Sequence, residues 1–188
     1  MKKIQTVSTY LIASFNIILW SYPILLTLLW TLKDWAPIRA LVNIGMLRND
    51  VLTPEGMVSL SSLTLTPLSW SIGYMAAIVG FMPLFLGLFV LKRLFQNYKR
   101  GSIFLLENAQ KYKYIGGLFI LNALLIKPLS DMMMVLSATL SNPPGHRYIT
   151  VDFGTPNVED IICGLLVIVI SWIMAESYKL KEDQTLTI

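Results

Sequence analysis

In 188 residues the chain carries 55% hydrophobic residues and only 14% charged ones. A soluble domain uses about a quarter charged residues to cover its water-facing surface, so this balance excludes an ordinary soluble fold. The net charge of +4 resembles a nucleic-acid signal, yet most basic residues sit in short segments between apolar runs, where membrane topology places them. A single cysteine, Cys163, excludes an internal disulfide.

The first apolar run predicts a membrane span over residues 7–32, with no charge between Lys3 and Lys33. It is much longer than the ~7–15 residues of a signal-peptide core and ends in no small-x-small cleavage site, so it reads as an anchor. Trp30 and Trp35 fall at its interface. Residues 37–47 follow a proline start with apolar residues at near-helical spacing and predict a short interfacial helix; 57–66 predicts a strand.

The second span is predicted over 70–91 and stops at Lys92-Arg93. Gly73, Gly80 and Gly87 recur every seven residues, which reads as a helix-packing seam rather than a pore lining. Pro83 predicts a kink. A loop over 92–113 follows, carrying Lys92, Arg93, Lys99, Arg100, Glu107, Asn108, Lys111 and Lys113. The third span, 114–140, contains Lys127, Pro128 and Asp131. Asn142-Pro143-Pro144-Gly145 then makes a turn, and 147–153 alternates like a strand able to pair with 57–66 into an outer cap. The fourth span is 161–178, with Gly164 and Ser171 near one face as a second packing stripe.

Lys and Arg set the orientation. Ten lie at the two termini and in the 92–113 loop; four lie in the segments 33–69 and 141–160. The positive-inside rule places the ten, and with them both termini, in the cytoplasm. The predicted fold class is an all-α membrane protein, a single four-transmembrane-helix bundle with a small extracytoplasmic β element.

The connection Leu91-Lys92-Arg93 leads through Gly101-Ser102-Ile103-Phe104 to Glu107-Asn108, and the chain then reaches Ile115-Gly116. The tail runs from Glu182-Asp183 to Leu186-Thr187-Ile188. From Leu91 onward this combination resembles the bacterial membrane-protein family catalogued as domain of unknown function 2975. Leu105 departs from the Ser or Thr that the family often has before Glu-Asn, which removes a side-chain helix cap. The resemblance implies a place in the bacterial cytoplasmic membrane. It also implies partnership with a small helix-turn-helix DNA-binding regulator; the family has no established biochemical activity to carry over.

Lys127 and Asp131 are the intramembrane polar pair, four residues apart on one helix face. Counted from Tyr114 they lie about 20 and 26 Å up a roughly 30 Å core. The pair reads more readily as a brace at Pro128 than as an ion pathway, since no other span carries a charge well inside it. The basic loop is the cytoplasmic interaction surface, whose simpler reading is that it only fixes orientation. His146 has no second imidazole or cysteine near it, so neither a metal nor any other cofactor is expected. No nucleophile has a base, and no DNA-reading motif accompanies the charge. The expected function is therefore non-enzymatic contact. The partners are the lipid bilayer, a small DNA-binding regulator and, left open, further copies of the chain. Transport or immunity against a membrane-active toxin is the alternative.

Overall fold

The structure is a computed structural model that describes residues 2–32, 35–43, 50–59, 65–151 and 155–186. Helix α1 is Lys2–Thr31, α2 is Ala36–Asn43, α3 is Pro67–Lys99, α4 is Leu106–Leu121, α5 is Lys127–Thr139 and α6 is Thr155–Leu186. Strands β1 (Asp50–Thr53) and β2 (Gly56–Ser59) form an antiparallel pair with Val51 opposite Val58. Four helical stretches are long and apolar enough to cross a membrane: Lys3–Thr31, Pro67–Lys99, Leu106–Thr139 and Asn157–Gln184. This is an all-α, multi-pass membrane protein with a small two-stranded sheet. Helices dominate because hydrocarbon offers no partners to backbone N–H and C=O groups, and a helix satisfies them internally.

The helices outrun the predicted spans. α3 continues to Lys99 and α4 begins at Leu106, so the expected loop 92–113 shrinks to the turn 100–105. The basic residues had marked where polarity begins, not where the helix stops. Thr66 starts α3 by accepting the Ser69 backbone N–H at 3.2 Å, with Pro67 in the first turn where no N–H is needed. Pro23 and Pro83 lie inside continuous helices. Ahead of Pro128 the chain takes a π-helical turn, Asn122–Ile126. The proline supplies no N–H and its ring crowds the carbonyl four residues back, so a widened turn accommodates it.

Two compact units make up the chain. The first comprises Met1–Trp20, Pro83–Leu124 and Gly154–Ile188; the second comprises Ser21–Met82 and Leu125–Phe153. In the first, α6 packs antiparallel along α4. Asn157 Nδ2 donates to Ala123 O at 3.1 Å, and Ser171 Oγ donates to Ala109 O at 2.7 Å. Gly116 and Gly164 lie between these points, and a Cβ on either would come within 2.8 Å of the other's carbonyl oxygen. In the second, Trp30, Val51, Val135 and Ala138 form the buried core, with Trp70, Tyr74 and Tyr148 packed on it.

The expected pairing of strands 57–66 and 147–153 is corrected. β2 pairs with β1 across Pro54-Glu55, and 147–151 forms no strand; 60–64 and 152–153 lie outside the described residues. Closing a hairpin over two residues costs far less chain entropy than pairing segments almost ninety positions apart. Gly56, at φ +125°, supplies the turn conformation that a side chain would resist. α2 begins one residue ahead of the interfacial helix predicted over 37–47 and covers its first seven residues; 44–47 are outside the described residues.

Candidate functional site

The turn between α3 and α4 is the most tightly specified feature of the first unit. Gly101, at φ +79°, ends α3: its N–H donates to Tyr98 O and that of Ser102 donates to Asn97 O, both at 3.0 Å. This is the Schellman closure, which the sequence reading of 92–113 as a loop did not anticipate. Asn108 fills the turn from inside. Fully buried, it donates to Ser102 O at 2.8 Å and Ile103 O at 2.7 Å and accepts from Asn97 Nδ2 at 2.8 Å. Leu105 makes no side-chain cap for α4, as its apolar side chain requires.

These contacts divide the eight residues read as one interaction surface. Asn108 is buried, and so is Lys111, which donates to Glu107 one turn away at 2.5 Å. Both are corrected from surface to scaffold, because the turn's carbonyls and Glu107 claim their polar atoms. Arg93, Lys99, Arg100, Glu107 and Lys113 are exposed and Lys92 is half-buried. Arg93 lies 4.5 Å over the Phe89 ring, which lets its charge rest against an apolar face.

The seven-residue glycine pattern is met by a second one that sequence reading missed, Ser130 and Ser137. A Cβ on Gly73 would lie 2.6 Å from Ser137 Oγ, and one on Gly80 2.7 Å from Ser130 Oγ. Each serine also donates to a carbonyl of α3, Ser137 to Ser69 O at 2.6 Å and Ser130 to Ala76 O at 2.9 Å. In both cases that carbonyl is one turn before the glycine. Close approach and hydrogen bonding thus serve together where lipid removes the hydrophobic drive. Gly87 is the exception and is corrected: a Cβ there meets nothing within 4 Å, so it opens a cavity instead of closing a seam. Gly164 and Ser171 do lie on the α4 contact.

Lys127 and Asp131 occupy the first turns of α5. Among the described residues the ion pairs are Glu107–Lys111, Glu55–His146 and Glu176–Lys179, and the expected Lys127–Asp131 pair is not formed. Spacing brings two side chains within reach without fixing which partner prevails; Asp131 is exposed and engaged in another interaction. Asp160, which sequence reading set just before the fourth span, accepts a hydrogen bond from Asn122 Nδ2 at 2.8 Å. Asn122 is halfway along Leu106–Thr139, so a charged group does lie beside the middle of a membrane-length helix.

At the hairpin of the second unit, Glu55 accepts from Tyr148 OH at 2.6 Å and meets His146 Nδ1 at 2.6 Å. Gly145, at φ +96°, presents His146, whose N–H closes the turn onto Pro143 O at 3.1 Å. The Tyr148 hydroxyl first, and His146 second, hold the Glu55 carboxyl below the usual carboxylate range. The same hydrogen bond raises Tyr148, since ionising the phenol would lose the donor and set two negative charges together.

Neither the curated proteins nor the solved structures give a match to the chain. The family described as "Protein of unknown function (DUF2975)" matches residues 20–188, so the likeness reaches well ahead of Leu91 and takes in the last third of α1, the hairpin and all of α3. On that extent of agreement, this multi-pass membrane protein belongs to that family of unknown function.

Proposed function

We propose that this is a protein of the bacterial cytoplasmic membrane, with both termini inside. In this reading it acts by contact, holding a small soluble helix-turn-helix regulator at the α3–α4 turn and the charged end of α6. The observation that carries it is a rigid turn, braced by Asn108 from within, that leaves Lys99, Arg100 and Lys113 exposed. A cluster of cations on a braced backbone suits an acidic face of a partner, because opposite charge favours the encounter and the turn need not be ordered on docking. Glu176, Lys179, Lys181, Glu182 and Asp183 continue α6 as an exposed charged helix that gives the same partner a second point of contact.

The test is co-purification of the full-length protein with a helix-turn-helix regulator encoded beside it. Replacing Lys99, Arg100 and Lys113 together by Glu is expected to weaken capture at least about tenfold while leaving the melting temperature unchanged. Undiminished capture by the triple variant would remove the reading.

Transport, or immunity against a membrane-active toxin, is favoured by one observation, the Asp160–Asn122 pair beside the middle of the third membrane-length helix. It requires flux or protection that disappears with Lys127→Met, Asp131→Asn or Asp160→Asn; activity intact in all three would exclude it.

A further inference from the structure

A cavity of about 280 Å³ lies within the first unit. Leu84, Gly87 and Leu88 of α3 and Ile115 and Phe119 of α4 form its apolar wall, and Asn122 and Asp160 stand at one end. Its size is at the lower edge of small-molecule sites, enough for one ring and a short substituent. Asn122 gives the Asp160 carboxyl a hydrogen bond but no countercharge. Among the described residues no lysine, arginine or histidine pairs with Asp160. The residue nevertheless belongs to a candidate span, Asn157–Gln184. Counted from Tyr114, Asn122 lies about 12 Å into the roughly 30 Å core. At such depth an ionised carboxylate costs several kcal/mol unless something compensates it.

We infer that the cavity is a binding site for a small apolar organic monocation, with the quaternary or protonated nitrogen beside Asp160 and the apolar body against Phe119 and the α3 wall. The chemistry excludes the other occupants. A bare metal ion needs several oxygen ligands, and the wall is hydrocarbon. A lipid acyl chain would fill the wall and leave the carboxylate uncompensated. An organic cation satisfies both ends, and the Phe119 ring adds attraction for positive charge. This inference is independent of the regulator-holding reading and concerns other residues.

The experiment uses full-length protein in lipid nanodiscs and benzyltrimethylammonium as the probe, with binding followed by calorimetry. Its uncharged carbon isostere, 2,2-dimethylpropylbenzene, is the competitor. Saturable binding is expected, with the isostere failing to compete. Asp160→Asn, which keeps an oxygen for the Asn122 amide, is expected to weaken binding at least about tenfold. Gly87→Leu should do the same by filling the space, and the open surroundings of Gly87 leave room for it. Absence of saturable binding to the unaltered protein, equal competition by the isostere, or unchanged affinity in Asp160→Asn would each overturn the proposal. Should Gly87→Leu lower the melting temperature, the isostere comparison on unaltered protein still decides.

Discussion

Asn108 shows how one polar side chain can fix a turn. Its amide donates to both Ser102 O and Ile103 O, and its oxygen takes the Asn97 amide, so these bonds are all internal. Asn108→Leu would remove all three of these bonds, leaving Ile103 O with the Leu105 N–H alone and the Asn97 amide with Glu107 alone. At about 1 kcal/mol for each bond lost, a destabilisation of about 3 kcal/mol is expected in mixed-micelle unfolding. A variant as stable as the parent would show that the turn is held by its backbone alone. Glu55 offers the complementary case at an exposed site. Its carboxyl is held below its ordinary value in the folded protein. The clasp on Tyr148 and His146 therefore contributes fully above the unfolded carboxylate pKa and is lost as pH falls through the lower folded one. Protection factors of the amides around 142–148, with the intrinsic pH dependence of exchange divided out, are expected to fall below about pH 4. In Glu55→Gln the acid-dependent step should vanish; a step of the same size in that variant would assign it to another group.

At the scale of elements, the seams predict opposite fates for glycines that look alike in sequence. Gly116→Ala sets a methyl 2.6 Å from the Gly164 carbonyl oxygen, so α4 and α6 must part. Over-packing of this kind costs about 1–3 kcal/mol. Gly87→Ala has nothing within 4 Å and should lie within about 0.5 kcal/mol of the parent. Equal stabilities for the two variants, measured by unfolding in mixed micelles, would remove the distinction. The sequence made the seven-residue glycine spacing visible but hid its partners, because Ser130 and Ser137 are unremarkable until α5 is laid beside α3. Apolar length located all four membrane-length helices, since the bilayer sets a minimum that is read residue by residue. Their ends were less legible. A helix continues past its apolar portion wherever propensity allows, as α3 does through Lys92-Arg93 to Lys99. Asp160 was hidden for a related reason. Polarity suggested that it precedes a span, whereas only the antiparallel register of α6 on α4 sets it beside Asn122.

For the whole molecule, the decisive quantity is which end of the helices faces the cell interior. The turn 100–105 and the clasp around Glu55 belong to different units, the one following α3 in the chain and the other preceding it. The proposed orientation follows from the excess of Lys and Arg at the termini and beside the α3–α4 turn, which the translocation machinery retains on the cytoplasmic side. Single-cysteine labelling reads this directly once Cys163 is replaced by Ser, since no other cysteine is present. Ser102→Cys reports the turn and Thr150→Cys the clasp side, and neither side chain supplies a hydrogen bond that braces those regions. On intact cells a membrane-impermeant maleimide is expected to modify the probe at 150 and to spare the one at 102 until the membrane is permeabilised. The opposite pattern would put Lys99, Arg100 and Lys113 outside the cell, where no DNA-binding regulator could reach them. The contact proposal would then fail, while the binding of an organic cation beside Asp160 would remain open to its own test.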